Sequence, residues 1–227
     1  MAKTRGPRRT TNKDSVVVIG LGRFGRALAL ELVDEDTEVL GIDENAELVQ
    51  QLSGSLTHVV RADSTNEDTL RQLGVHEFNR AVVAIGSNLE ASILTASLLV
   101  SFGIPDVWAK ALSEAQGRIL TQLGVHHVVY PEHEMGQRVA HLVRGRMLDY
   151  IEFEDDFAMV KTKPPSGIIG YKLADTAVRS RYGITVVAIK RPGQGFTYAT
   201  ADTIVEADDT IIVAGRTRQT ERFSELQ

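Results

Sequence analysis

Val16-Val17-Val18-Ile19-Gly20-Leu21-Gly22-Arg23-Phe24-Gly25 decides how the rest of this chain is read. Four β-branched residues in succession show no polar alternation, the pattern of a strand buried on both faces of a parallel sheet. Gly20 ends the run, and Ala27-Leu28-Ala29-Leu30-Glu31-Leu32 follows with helical composition. A G-x-G-x-x-G spacing says little alone, but between a strand and a helix it describes a turn that cradles phosphate. Gly20 permits the tight turn, Gly22 lets backbone approach a phosphate, and Gly25 lets helix pack on strand. The helix N-terminus adds unpaired N–H groups and the positive end of its dipole.

The alternation continues outward. Strands are predicted at 38–43, 57–61, 81–85, 107–110 and 127–130, with helical segments at 47–52, 65–73, 89–102 and 114–123 between them. Six strands alternating with helices predict an α/β fold with a Rossmann-type, doubly wound parallel sheet. The pattern changes near residue 148, after a helical stretch from Glu134 to about Leu148. Beyond it, Phe157 to Thr162 alternates, Leu173 to Arg181 reads as one short helix, and Thr185 to Lys190 is a strand. Pro192-Gly193-Gln194-Gly195 is a turn that returns Phe196 to Ala199 as a hairpin arm, before a last strand at Thr210 to Ala214. The expected organisation is a disordered basic tail at 1–14, a nucleotide-binding domain at 15–133, a linking helix at 134–149 and a small α+β lobe at 150–227.

Composition narrows the classes. The chain has 227 residues, 43% hydrophobic and 24% charged, which suits one or two folded domains and argues against low-complexity or wholly disordered chains. It has no Cys, which excludes disulfides, thiolate zinc sites, Fe–S clusters and a Cys nucleophile, and suits a reducing compartment. Lys3, Arg5, Arg8, Arg9 and Lys13 precede the first acid, Asp14; of 25 basic residues this leaves 20, against 30 acidic ones. A domain that acidic is not a general nucleic-acid binder. The apolar stretch Ala91 to Pro105 is interrupted by Ser92, Thr95, Ser97 and Ser101 and falls short of the ~18 apolar residues of a membrane span. It reads as a buried helix. No apolar signal region follows the basic N-terminus, so a soluble, cytoplasmic protein is expected.

The candidate chemistry lies at strand ends. Asp43 ends the second strand, 23 residues after Gly20, where an acid accepts hydrogen bonds from ribose hydroxyls and repels a 2′-phosphate, disfavouring NADP. Such a charge-assisted bond contributes about 1.5–3 kcal/mol. Arg23 either adds charge opposite the phosphates, leaning toward ADP or ATP, or is an exposed first-turn residue. Asp63, Gly86, Asn88 and Lys110 fall along the same edge, and Asp63 and Asn88 have helix capping as a second role. Glu132 opens the helix after the sixth strand, either to hold a divalent cation or as an acid favoured by the helix dipole. His126 and His127 face opposite sides of a strand, and His133 and His141 stand ~12 Å apart along a helix, so no histidine metal site is predicted. There is no H-E-x-x-H and no G-x-S-x-G. Arg179, Arg181 and Tyr182 either hold a small anion or form a solvated helix end.

Taken together, Ile19 to Gly25, Asp43, Ala62-Asp63-Ser64, Ala84-Ile85-Gly86, Trp108-Ala109-Lys110 and Pro131-Glu132-His133-Glu134-Met135-Gly136 resemble the TrkA/KtrA family. These are RCK-domain regulators of potassium conductance, and the resemblance is greater to the KtrA-like members than to the longer tandem TrkA ones. It covers Ser15 to Gln227 and implies an RCK_N lobe, a linking helix and an RCK_C lobe. It further implies a non-enzymatic, cytosolic gating subunit, peripheral on the inner face of the membrane. Homodimers would assemble into an octameric ring that docks on a KtrB- or TrkH-like potassium-translocating subunit. ATP or ADP, or in some members NAD(H), would occupy the N-lobe. Asp43 would hold the ribose, Arg23 the terminal phosphates, and Glu132 a phosphate-associated Mg2+ or other divalent cation, with Phe24 and Ser64 in the same cofactor-binding set. In the C-lobe, Arg179 would match the family's arginine for cyclic di-AMP at the dimer interface, with Ile184 and Thr185 lining the pocket, although Tyr198-Ala199-Thr200-Ala201 lacks the proline often found before the last strand pair. The competing reading is an NAD-dependent oxidoreductase sharing Gly20, Gly22, Gly25 and Asp43. A redox-sensing DNA-binding repressor would need a helix-turn-helix, for which residues 1–14 are too short.

Overall fold

β1 (Ser15–Ile19) is buried along its whole length. Val17 and Ile19 enter one apolar cluster while Val16 and Val18 enter another, so both faces are covered and no polar residue alternates. The computed structural model describes residues 15–144 and 147–226; the expected tail at 1–14 lies outside them. Beside β1 run β2 (Glu38–Asp43), β3 (His58–Arg61), β4 (Arg80–Val83), β5 (Asp106–Lys110) and β6 (His127–Val129), all parallel, in the order β3-β2-β1-β4-β5-β6. The order reverses between β1 and β4, and a crevice opens there at the carboxyl ends of the strands. This is the doubly wound sheet that the alternation predicts.

Helices α1 (Arg23–Asp34) and α2 (Ala46–Leu52) cover one face, contributing Ala29 and Leu52 to its core. α3 (Glu67–Gln72), α4 (Leu89–Ser101) and α5 (Glu114–Gln122) cover the other with Leu70, Leu99 and Leu120. Each such buried side chain contributes about 1.5–3 kcal/mol over its exposed state. α4 is buried on one face only: Thr95, Ala96 and Leu99 face inward while Leu89 and Leu94 are exposed. Asn45, Asn66, Asn88 and Ser113 cap α2, α3, α4 and α5 by accepting backbone N–H bonds. The N-cap of α1 is Gly22, and no side chain caps it.

The chain divides into two compact units, Met1–Glu132 and His133–Gln227. α6 (Pro131–Arg144) ends earlier than the helical pattern predicts, and Leu148 belongs to β7 (Met147–Phe153). The reason is a bulge between Met147 and Asp149 where β7 pairs with β8 (Phe157–Thr162). It puts Met147 and Tyr150, three apart, on the same buried side, a spacing that imitates a helix. The expected helix at 173–181 is also split. Leu173–Asp175 forms a 3-10 turn and Ala177 takes a left-handed conformation with φ +51°, so only α7 (Val178–Tyr182) is helical. β9 (Ile184–Lys190) and β10 (Phe196–Tyr198) form the predicted hairpin. With β11 (Thr210–Arg216) they complete an antiparallel sheet in the order β10-β9-β11-β8-β7. α8 (Thr217–Ser224) closes its core with Phe223. Within this unit Arg138 on α6 donates to Asp149 at 2.6 Å, holding that carboxyl below the usual carboxylate range, and His141 stacks on Tyr150 at 4.2 Å and meets Glu221 at 2.8 Å.

Candidate functional site

The ends of the first five strands surround a cleft of about 700 Å³. The turn after β1 is shaped by two glycines. Gly20 has φ +92°, and a Cβ on it would lie 2.9 Å from the Ile85 nitrogen. A Cβ on Gly25 would overlap the Gly20 carbonyl. The turn is thus drawn against the end of β4, with Gly25 packed beneath it and not among the residues that line the cleft. Gly22, Arg23 and Phe24 do line it, and a Cβ on Gly22 would meet nothing within 4 Å. The uncapped first turn of α1 therefore faces the cleft, where its N–H groups favour an anion.

Asp43 is tied to that turn. Its Oδ2 accepts from the Leu21 N–H at 2.6 Å and its Oδ1 from the Asn45 N–H at 2.8 Å. A carboxylate oxygen accepts more than one bond, so both retain capacity for hydroxyls. Asp63 does not cap α3. Its Oδ1 accepts from the Thr65 N–H at 2.8 Å and the Thr65 hydroxyl at 2.7 Å, and these bonds, the hydroxyl's first, hold its pKa below the usual value. Ser64 lies beside it, largely buried and lining the cleft. Asn88 takes the capping role, accepting from the Ala91 N–H at 3.0 Å.

Lys110 is only 7% exposed. Its Nζ donates to Glu132 Oε1 at 2.5 Å and lies 5.7 Å from the Phe24 ring centroid. A Cβ on Gly86 would come within 3.3 Å of this ammonium, so glycine leaves it room. The Lys110 hydrogen bond holds the Glu132 carboxyl below the usual carboxylate range against the opposing effect of burial, with Arg23 acting in the same direction. Glu132 thus has a protein cation as its partner. Among the described residues no group of three His, Asp or Glu side chains could hold a metal ion.

Sequence reasoning missed Asn45 and Gln116. Asn45 had a signal, an Asn just before an apolar helical run; Gln116 had one too, the S-x-x-Q spacing from Ser113 that marks a helix start, but its contact to Ser92 on α4 has no signature in the spacing. In the second unit, Arg179 Nε donates to Thr185 Oγ1 at 3.1 Å. Arg181 lies instead over the Tyr182 ring at 5.3 Å. Ile184 is 1% exposed and belongs to the core, so it lies beneath this surface and not on it. Among the described residues no helix is long and apolar enough to cross a membrane.

Comparison with known proteins agrees with this architecture. The TrkA-N domain family matches residues 16–131 and the TrkA-C domain family residues 157–227. The chain is 35% identical to the Ktr system potassium uptake protein C of Bacillus subtilis over 93% of its length and 96% of that protein. It is 34% identical to Ktr system potassium uptake protein A of the same organism, over 91% of the chain and 93% of that protein. Among solved structures, the RCK domain of GsuK matches with a TM-score of 0.64 and 16% identity, covering 96% of this chain; the chain spans 48% of that one. At this identity the likeness shows the shared fold.

Proposed function

Because the chain belongs to the family of TrkA-N and TrkA-C domain potassium-uptake proteins, we propose that it is a cytosolic, non-enzymatic regulatory subunit of a Ktr-type potassium uptake system, gated by an adenine nucleotide. One observation carries the reading. The uncapped end of α1 and the carboxylate of Asp43 face one cleft, and the Leu21 N–H joins them. A phosphate recogniser and a sugar recogniser are thereby held at one fixed spacing.

ATP or ADP fits this donor set, and NAD(H) shares its phosphate and ribose elements. Gly20, Gly22 and the first turn of α1 receive phosphate, Asp43 the ribose, and Asp63 and Ser64 the base side. Gly86, Asn88 and Phe24 line the same cleft. Arg23 and Lys110 supply positive charge to the terminal phosphates. Glu132 is the only carboxylate assigned to Mg2+ or another divalent cation, which would draw its remaining ligands from phosphate oxygens and compete with Lys110. Arg179 and Thr185, packed over the buried Ile184, offer a second ligand site in the C-lobe, for cyclic di-AMP.

Gating requires a ligand to bind two conformations unequally; equal affinity shifts nothing. ATP and ADP differ by one phosphate, and the charges of Arg23, Lys110 and Glu132 lie where that difference is felt. The transmitted change would act through a homodimer, assembled into an octameric ring, on a membrane potassium-translocating subunit of the KtrB or TrkH kind. Mass spectrometry of small molecules released from the purified protein, followed by calorimetric titration with ATP, ADP and NAD, tests the reading. Adenine-nucleotide binding that Asp43→Ala abolishes supports it. No binding of any of the three, or turnover of nicotinamide with a metabolite, refutes it.

A further inference from the structure

Ser64 lines the cleft, but its orientation is set from behind. Its hydroxyl lies 2.8 Å from Oγ1 of Thr95, and Thr95 Oγ1 also reaches the Ser64 carbonyl oxygen at 3.2 Å. Thr95 sits on α4, is fully buried and does not line the cleft. Ser92, one helical turn earlier on the same face and equally buried, accepts from Gln116 Nε2 on α5 at 3.3 Å. Gln116 accepts the Leu112 N–H at 2.9 Å and reaches the Lys110 carbonyl oxygen at 3.5 Å. Two buried hydroxyls and one buried amide thus join the turn after β3 to the turn after β5, and both turns wall the cleft.

Apolar side chains would fill this layer without direction, whereas a buried polar group is costly unless paired, and pairing fixes its geometry. We propose that Thr95 is a positioning residue for the nucleotide site. It touches no ligand. It holds Ser64 and, through the α4 face it shares with Ser92 and the Ser92 contact to Gln116 on α5, keeps the Lys110–Leu112 turn in register with it. The inference rests on the nucleotide reading above. Its proton accounting is simple. If Thr95 donates to the Ser64 carbonyl, the Ser64 hydroxyl donates to Thr95 and shows lone pairs to the cleft. If Thr95 donates to the Ser64 hydroxyl, Ser64 keeps its own proton for the ligand. The pair can meet either an acceptor or a donor on the bound molecule.

Two substitutions in the full chain separate positioning from packing. Thr95→Val keeps the shape and removes the hydroxyl; Thr95→Ser keeps the hydroxyl and removes a methyl. With ADP as the calorimetric probe, Thr95→Val should bind at least fivefold more weakly, and Thr95→Ser within twofold of the unaltered protein. A packing role gives the opposite order. The proposal is overturned if Thr95→Val binds within twofold, or if Thr95→Ser loses as much as Thr95→Val. If Thr95→Val does not fold, Ser92→Ala takes its place, with at least a twofold loss expected and unchanged binding overturning the inference. Absence of ADP binding by the unaltered protein overturns the nucleotide reading itself, and this inference with it.

Discussion

Replacing Glu132 by glutamine isolates one charge, because the amide keeps the size and an acceptor oxygen. Its partner Lys110 has a side chain 8% exposed, whereas Glu132 is 60% exposed. Breaking a fully buried pair costs about 3–5 kcal/mol and an exposed one about 0–1 kcal/mol. A buried ammonium with a solvated partner, still accepted by an amide oxygen, falls at about 1–2 kcal/mol after that screening. Each kcal/mol moves the melting midpoint of a chain this size by about 2–4 °C, so Glu132→Gln should melt about 2–8 °C lower at neutral pH in scanning calorimetry. The pH dependence is the sharper test. The Lys110 hydrogen bond depresses the folded-state pKa of Glu132 below its ordinary 4.5. Stabilisation from a depressed carboxyl is complete above the unfolded value and is lost as pH falls through the folded one. The gap between the two proteins should therefore stay constant from neutral pH down to the ordinary glutamate range and close below it. Equal midpoints at neutral pH, or a gap that widens on acidification, would refute the pairing.

Gly25→Ala forces a methyl onto the Gly20 carbonyl; overpacking of this kind costs about 1–3 kcal/mol, and the displaced turn should bind ADP at least tenfold more weakly by calorimetry. Arg23→Ala should narrow the affinity gap between ATP and ADP, and an unchanged gap removes Arg23 from nucleotide discrimination. Arg179→Ala should abolish binding of cyclic di-AMP in equilibrium dialysis while ADP affinity stays unchanged, since Arg179 and the cleft lie in different compact units. Arg138→Met removes the cation that depresses the Asp149 pKa. The stability difference it causes should be present at neutral pH and vanish in acid, as read from urea midpoints.

Much of the N-terminal unit was legible because its signals are local. The unbroken apolar run at Val16 to Ile19 reports burial on both faces, and Gly20 and Gly25 stand where the backbone has no room for a side chain. Placing Asp43, Asp63, Gly86 and Lys110 along one edge followed from the alternation, since Asp43 and Lys110 end strands and Asp63 and Gly86 follow closely on strand ends. What stayed hidden depends on partners far apart in the chain. Lys110 and Glu132 are 22 residues apart, and nothing in the spacing pairs them. Ser92 and Thr95 read as interruptions of an apolar stretch, yet they are the inward polar contacts of α4. The second unit misled for a different reason: the bulge at Met147 and the left-handed Ala177 break the periods on which sequence reading relies.

Four helices of the first unit begin on an Asn or Ser that accepts their leading amides, and α1 begins on a glycine that cannot. The leading turn of α1 is left for solvent or a visiting anion to complete. Deuterium uptake at Arg23 to Gly25 should then outpace uptake at the matching turn of α4, and slow when a polyphosphate compound is supplied. The effector would act as the finishing residue of its own receptor, so that occupancy is written first into the rigidity of one helical turn.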